Sequence, residues 1–239
     1  MKKIVFLFVL SGFMISAGLA QQGDLLKRAG SVLGKSSGGA LSADDIAAGL
    51  KEALIVGAQK SAARLSAENG FFANAAIKVL MPEEVKKVES TLRNMGMGKL
   101  VDDAILSMNR AAEEASKSAA PIFVQAVKSM SIKDAAGILR GADNAATVYL
   151  KDKTVDALTS SFRPVIEQAL EKTGATKHWS AIFERYNKIP LSKKVDTDLA
   201  GYVTAKALDG MFFQLAEEEK KIRKDPAARV SETLKKVFG

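Results

Sequence analysis

The residues that decide the fold run from Leu100 to Ala115 and read LVDDAILSMNRAAEEA. Apolar side chains recur here every three or four residues, which places them on one face of an α-helix. The same period recurs through most of the chain after residue 40, and no stretch alternates with period two for long enough to form a sheet. The sequence therefore predicts an all-α fold, a compact multi-helix bundle of about eight to ten helices with no significant sheet.

Capping boxes are predicted on both sides of this stretch. Ser42 with Asp45, and Ser131 with Asp134, have the spacing at which a hydroxyl and a carboxylate satisfy the free backbone amides at a helix start. The helix that begins at Ser42 is predicted to reach Ser66.

This first helix carries small residues at every fourth position, Gly49, Ala53 and Gly57. A Gly inside a helix costs about 1 kcal/mol relative to Ala, so two of them require a structural reason. We expect a flat ridge on which another helix packs closely.

Other helix boundaries are predicted from single residues. Pro121 is expected to break or kink the helix that contains the opening stretch. Asp143 is expected to cap a short helix, and Thr154 is expected to open the next one. Residues 67–82 are predicted to be irregular, with Ile77 to Leu80 as the only candidate strand.

Residues 1–20 form the pattern of a secretory signal peptide. Lys2 and Lys3 precede an apolar core, and Gly18 and Ala20 occupy positions −3 and −1 of a predicted cut after Ala20. The alternative is a membrane anchor, but the apolar core is shorter than the roughly 20 residues that span a bilayer. No Cys follows the cut, which excludes a lipoprotein anchor. We therefore expect an exported protein, in the periplasm of a Gram-negative bacterium or otherwise secreted, with no transmembrane segment after cleavage.

Two further parts are predicted after the signal peptide. Residues 21–40 combine a short amphipathic helix with the flexible linker Gly34 to Gly39. Residues 41–239 are predicted to form a single all-helical domain.

The composition restricts the chemistry of the chain. It has no Cys, so disulfides, thiolate metal sites and Cys nucleophiles are excluded. Its formal net charge is +8, and the two Lys of the signal peptide contribute two of these charges. The remaining basic excess is modest, and the aromatic residues have helix-core spacing instead of alternating with basic residues. This pattern argues against nucleic-acid binding.

Several stretches resemble a bacterial family of exported helical proteins that is catalogued as domain of unknown function 4197. They are LKEAL at 50–54, MNRAAE at 108–113, GILRG at 137–141, EEEKKIRKDP at 217–226, and the tail from ALDG at 207–210 to KVFG at 236–239. The similarity covers almost all of the chain after the signal peptide, in one order. It implies an exported, helical, single-domain bacterial protein, and it implies no activity and no catalytic residues.

Few residues are candidates for chemistry. His178 is the only histidine, so zinc sites with paired His and helical di-iron sites are excluded, and no cofactor or metal is expected. His178 beside Trp179 is a candidate general base in a pocket, although a single His at a helix start is more often a capping or surface residue. Gly96 to Lys99 suggest a phosphate-binding turn, but Arg93 and Leu100 stand where a P-loop needs Gly and Ser or Thr. A turn between helices explains these glycines.

Two polar clusters are candidates for a ligand-binding site. Asn109, Arg110 and Glu113 lie on neighbouring turns of one helix, and Arg140 and Asp143 flank a tight turn. Arg with Asn is suited to hold an anionic head group. The structural alternative is that Arg110 pairs with Glu113 or its neighbour, and that Arg140 pairs with Asp143.

Three classes of function remain. The first is a non-catalytic binding protein whose helices enclose an apolar or lipid-like ligand with an anionic head, and a buried apolar cavity with an Arg at its mouth would favour it. The second is an envelope protein-interaction or structural module that uses an exposed face such as residues 217–238. The third is a hydrolase that uses His178 or scattered carboxylates. The first two rank nearly level, ahead of the enzyme.

Overall fold

Helices form all of the regular structure in the computed structural model of the chain, which describes residues 42–176, 179–180, 198–225 and 235. Seven α-helices lie in these residues: α1 (Ala43–Ser66), α2 (Lys86–Asn94), α3 (Gly98–Ser116), α4 (Ala119–Ser129), α5 (Ile132–Arg140), α6 (Ala145–Lys172) and α7 (Leu199–Lys224). A 3-10 helix, Glu83–Val85, precedes α2. The described residues contain no strand, and the prediction of an all-α fold is confirmed.

Both predicted capping boxes are present. The hydroxyl of Ser42 accepts a hydrogen bond from the N–H of Asp45 at 3.1 Å, and the hydroxyl of Ser131 accepts one from the N–H of Asp134 at 3.1 Å. Each carboxylate bonds back to the backbone N–H of its Ser. The starts of α1 and α5 and the end of α1 at Ser66 are therefore confirmed.

The centre of the bundle is formed by α3, α6 and α7, and α1 packs across α4, α5 and α7. The rings of Phe123 and Phe212 meet edge to face with their centroids 6.0 Å apart, an arrangement that aromatic quadrupoles prefer. Phe71 and Phe162 are also fully buried. Burying a side chain of this size stabilises the fold by about 1.5–3 kcal/mol. In a chain without Cys, this packing takes the place of covalent cross-links.

Gly57 lies where α1 approaches the end of α7. A Cβ atom on Gly57 would be 3.7 Å from Cδ1 of Ile222, and Ile222 forms a small apolar cluster with Ala53. A second helix therefore packs at Gly57, but not so closely that the position requires Gly. The distance is an ordinary van der Waals contact, so the space beside Gly57 would accept a methyl group.

The break predicted at Pro121 is also present. Residues Lys117 and Ser118 separate α3 from α4, and Pro121 lies in the first turn of α4. Proline is tolerated there because the amides of the first turn have no partner within the helix.

α6 runs without interruption from Ala145 to Lys172, so the prediction of separate helices at Asp143 and Thr154 is wrong. The hydroxyl of Thr154 donates to the carbonyl of Leu150 inside the helix, which is a common alternative to capping for this residue type. Asp143 forms an ion pair with Lys224 of α7 instead of capping a helix.

The described helices belong to one unit, Leu41–Gly239. The predicted signal peptide and linker, residues 1–40, lie outside the described residues.

Candidate functional site

The candidate residue Asn109 faces the irregular 67–82 segment from α3 and is fully buried. Its Oδ1 accepts from the N–H of Val79 at 2.9 Å, and its Nδ2 donates to the carbonyls of Val79 and Ile105 at 2.8 and 2.7 Å. The amide side chain thus satisfies both backbone groups of Val79, as a neighbouring strand would. Ile77 to Leu80, the predicted candidate strand, are not part of a sheet in the described residues.

Glu113 holds the start of the same segment. Its Oε1 accepts from the N–H groups of Phe71 and Phe72 at 3.1 and 3.2 Å, and its Oε2 pairs with Arg110 one turn earlier. The structural alternative for Arg110, a pair with Glu113, is therefore confirmed.

Arg110 also reaches the turn before Phe71. Its Nη2 donates to Oδ1 of Asn69 at 2.9 Å and to Oε1 of Glu68 at 3.2 Å. Asn69 has a left-handed φ of 67°, a conformation that Asn tolerates better than most residues. An anionic head group at Arg110 stays a prediction, and such a ligand would compete with Glu113 and Glu68 for the guanidinium.

Arg140 and Asp143 are both exposed. Asp143 pairs with Lys224 and not with Arg140, and the hydrogen bond from Lys224 lowers the pKa of the Asp143 carboxyl. Among the described residues, no contact joins this pair to the Asn109 cluster. Within the described residues, the Arg140 and Asp143 cluster and the Asn109 cluster therefore do not form one pocket.

A further polar cluster lies where α5, α6 and α7 meet. Its residues fall within the predicted interaction face 217–238 but were not predicted individually. Glu219 is buried and accepts from the N–H groups of Ala146 and Thr147 at 3.0 and 2.9 Å. Arg223 pairs with Glu219 at 2.9 Å and donates to the carbonyl of Ile138 at 2.8 Å. A carboxylate of α7 thus caps the start of α6.

The predicted interaction face 217–238 is only partly described, because residues 226–234 and 236–238 lie outside the described residues. Within the described part, Glu219 and Arg223 point inward, whereas Lys220 and Lys224 are exposed. Use of this face for docking stays a prediction.

His178 also lies outside the described residues, so its role as a general base stays a prediction. Its neighbour Trp179 is described, is only 5% exposed, and lies in the wall of a cavity.

This cavity has a volume of about 110 Å³ and is partly open to solvent. Its wall is mainly hydrocarbon and includes Val88, Leu92, Val101, Ala104, Met108 and Trp179. The 3-10 helix and α2 form one side, α3 forms another, and residues after α6 complete the wall. Such a space can hold an apolar group out of water.

Charged side chains at the rim of the cavity are paired with one another. Arg93 bonds to Glu89 and Asp102 at 3.0 and 2.9 Å, and Lys99 bonds to Asp103 at 2.9 Å. Hydrogen bonds to Asp102 and Glu89 raise the pKa of Arg93, and the one to Asp103 raises the pKa of Lys99. Of these five side chains, only Glu89 and Asp103 line the cavity, and the other three lie beside them. Together the five carry a formal charge of −1, so the described part of the rim has no excess of cations for an anionic ligand.

The turn between α2 and α3 exposes apolar side chains next to the rim. Met95 is 64% exposed, and Met97 and Leu100 are also exposed. Gly96 in this turn has a φ of 79°, which favours glycine. The predicted turn between helices is confirmed at Gly96, whereas Gly98 and Lys99 belong to the first turn of α3.

Tyr202 fixes the end of the 67–82 segment. Its hydroxyl donates to the carbonyl of Leu80 at 2.8 Å. Burial, with a smaller effect of Glu84 and Glu83, raises the pKa of Tyr202 to about 12. A wider and more polar groove of about 540 Å³ lies beside this residue.

Sequence reasoning found Trp179 but missed the rest of the cavity. Val88, Leu92 and Met108 have the spacing of ordinary apolar helix faces. A helix face that lines a cavity has the same sequence pattern as a helix face that packs completely, because the cavity depends on the relative positions of three elements. The one local signal was a short amphipathic helix followed by a turn rich in Met.

None of the described helices is long and apolar enough to cross a membrane. The part of the chain that the structure describes also contains no group of three or more His, Cys, Asp or Glu side chains placed to hold a metal ion.

Comparison with known proteins identifies the family. No curated protein and no solved structure matches the chain. One family model, described as a protein of unknown function (DUF4197), matches residues 40–239. Because this match spans well over half of the chain, the protein belongs to the DUF4197 family.

Proposed function

We propose that the domain is a non-catalytic binding protein that holds a small apolar molecule or group in the cavity beside Trp179. The observation that carries the proposal is the hydrocarbon wall of this cavity, interrupted by a few polar groups such as Glu89 and Asp103. Ligand sites in proteins are typically concave and apolar, with a small number of polar groups that orient the ligand.

The volume of the cavity limits the size of the ligand. An engineered apolar cavity of roughly 150 Å³ stays dry and takes up benzene or xenon. At about 110 Å³, the present cavity matches one small ring or the end of an alkyl chain. A lipid-like ligand would insert only part of one chain.

The head group of the ligand is proposed to be neutral. Arg93 and Lys99 at the rim already have carboxylate partners, and an anion would have to displace them. Arg110 and Arg140 do not line the cavity. A neutral head group therefore agrees with this site better than the anionic one expected from the sequence.

Export to the bacterial periplasm is part of the same proposal. Its support is the basic start, short apolar core and small residues of residues 1–20. Mass spectrometry of a periplasmic fraction should find a mature chain that begins at Gln21. Recovery of only the full-length chain, in the cytoplasm, would contradict export.

Trp179 allows binding to be measured without a label, because it is the only tryptophan in the chain and lies in the cavity wall. We expect 1-hexanol to change its fluorescence saturably, hexylammonium to do so less, and hexanoate least. An equal response to hexanoate and hexanol would contradict a neutral head group. No response to any of the three would contradict the proposal.

A pair of variants locates the binding. Ala104→Leu adds a side chain inside the cavity, and we expect it to abolish the hexanol response without loss of stability, since the side chain enters free space. Ala142→Leu makes the same change at an exposed position outside the cavity and should keep the full response. Equal responses of the two variants would place hexanol elsewhere.

The natural ligand is sought by native mass spectrometry with organic extraction, on the mature chain purified from a bacterial periplasm. A reproducible extra mass that is extracted as an apolar compound, and that is lost in Ala104→Leu, is the expected result.

A second candidate function is docking of an envelope protein on the turn between α2 and α3. The exposed Met95, Met97 and Leu100 favour it. A photocrosslinker at position 95 should then give one discrete adduct in the periplasm, which Met97→Asp removes.

A further inference from the structure

One side of the cavity wall is formed by the 3-10 helix, which is anchored in the core by the buried Val85, and by α2, which is less firmly held. None of the nine side chains of α2 is fully buried, and its half-buried Val88 and Leu92 both line the cavity. α2 packs mainly on the 3-10 helix and on α3, and no side chain caps its start. An element with so few buried contacts opens at a lower free energy than the core does.

The two ends of this element differ. Before it, Val79 is bound by Asn109, and the carbonyl of Leu80 is bound by Tyr202. After it, Gly96 has a φ of 79°, and nothing lies within 4 Å of the place that its Cβ would take. The chain is therefore held by side chains of other helices at its start, whereas at its end it is held by the backbone hydrogen bonds of its own turn, from the N–H groups of Gly96 and Met97 to the carbonyls of Arg93 and Leu92.

One ion pair crosses from α2 to α3. Nη2 of Arg93 lies 2.9 Å from Oδ1 of Asp102; within the described residues, the other ion pair from α2 to a different element, Lys86 with Glu83, reaches only the adjoining 3-10 helix. Lys99 and Asp103 form a neighbouring pair, also at 2.9 Å, but both lie on α3. The two pairs are alike in length and position, and only the first bridges two elements.

We propose that residues 86–95 form a lid over the apolar cavity, which opens between the buried Val85 and the turn at Gly96 and is latched by Arg93 and Asp102. This inference rests on the proposed function, because a lid matters only if the cavity takes a ligand. Movement of this wall then widens a mouth that is already partly open to solvent, and the latch controls how often the mouth widens.

The absence of Cys makes opening measurable without any ligand. Met108→Cys places a thiol in the cavity wall at a position that is 1% exposed. Its rate of reaction with N-ethylmaleimide reports how often the cavity opens.

Two further changes in this background test the latch. Arg93→Gln is expected to speed labelling by about two- to fivefold, the range that corresponds to the loss of one exposed ion pair. Lys99→Gln also removes a cation from a pair at the rim, but it should leave the rate unchanged because that pair does not reach the lid. Acceleration by both variants, or by neither, would overturn the lid.

Hydrogen exchange on the Cys-free chain supplies a second measurement if Met108→Cys does not fold. Arg93→Gln should speed exchange of the α2 amides by the same factor and leave the α3 amides unchanged, and Lys99→Gln should affect neither. Faster exchange in α3 as well as α2 would indicate a weakened bundle and would overturn the lid. Both lid measurements are made without ligand, so they are independent of the binding test. A negative lid result would not affect the conclusion from the hexanol response of Trp179, and the absence of a hexanol response would not affect the evidence for a lid.

Discussion

Two buried glutamates, Glu113 on α3 and Glu219 on α7, perform the same task in different parts of the molecule. Each accepts hydrogen bonds from two consecutive backbone N–H groups, and each pairs with an Arg one turn away on its own helix. They differ in what they hold. Glu113 holds the irregular 67–82 segment, whereas Glu219 holds the first turn of the 28-residue helix α6.

Their Arg partners differ as well. The side chain of Arg110 is 35% exposed, whereas that of Arg223 is 12% exposed. Arg223 also donates to the carbonyls of Ile138 and Leu139 at the end of α5. The Glu219 pair thus satisfies the start of one helix and the end of another. The stabilisation from such a pair depends on how deeply it is buried and on what its remaining bonds hold.

The largest expected effect is therefore at Glu219. Glu219→Gln removes the negative charge that faces Arg223 at the junction of three helices and weakens the bonds to Ala146 and Thr147, and we expect it to lower the free energy of unfolding by about 3–5 kcal/mol. Urea unfolding measures this loss. Glu217→Gln, two residues away and partly exposed, should change stability by less than about 0.5 kcal/mol. A loss at Glu219 smaller than the loss at Glu113 would reverse the comparison.

Glu113→Gln is expected to cost less, about 1–3 kcal/mol, because water can reach Arg110 once the carboxylate is gone. Hydrogen exchange should show faster exchange at Phe71 and Phe72 and no change at Ala146 and Thr147. Equal acceleration at both places would mean that the two glutamates act through global stability and do not hold separate parts of the chain.

The contrast between these sites explains which parts of the fold the sequence predicted. The starts of α1 and α5 followed from Ser42 and Ser131 because each cap lies three residues from its partner. The start of α6 was predicted to within one residue, but its cap was predicted wrongly, because Glu219 lies 73 residues from Ala146. A short sequence pattern can indicate a hydrogen bond between residues that are close in the chain. A cap provided by another helix leaves no such pattern near the helix that it caps.

The same limit applies to the candidate site. Asn109, Arg110 and Glu113 were recognised as a polar group on one helix, but their partners in residues 68–79 are irregular backbone that no periodicity reveals. Trp179 was named because it stands beside the only histidine. The cavity beside it is a space between elements, and residue spacing along one helix does not record it.

Each glutamate has a helical glycine nearby, and adding a methyl group to each tests the packing around it. A Cβ on Gly210 would lie 2.5 Å from Cε1 of Phe71, whose N–H Glu113 binds. We expect Gly210→Ala to destabilise the protein by about 1–3 kcal/mol. Gly57→Ala meets Ile222 at 3.7 Å and should stabilise by about 0.5–1 kcal/mol, since Ala is favoured over Gly in a helix.

Thermal unfolding of the two variants separates these outcomes. A higher melting temperature for Gly57→Ala with a lower one for Gly210→Ala is expected. A loss of stability in both would mean that the contact between Gly57 and Ile222 is tighter than an ordinary van der Waals contact.

Tyr202 provides the most selective test, because its hydroxyl gives the 67–82 segment a second attachment, at the carbonyl of Leu80. Its pKa of about 12 exceeds the value of about 10 in an unfolded chain. Its contribution to stability is therefore complete below about pH 10 and is lost as the pH rises through about 12. Tyr202→Phe should cost about 0.5–1.5 kcal/mol near neutral pH and should lose less stability than the wild type above about pH 10. Urea unfolding across this pH range checks the sign of the effect, and an identical pH dependence of the two chains would refute it.

Because Tyr202 and Glu113 hold the same segment, the cost of Tyr202→Phe should shrink in the Glu113→Gln background and stay unchanged in the Glu219→Gln background.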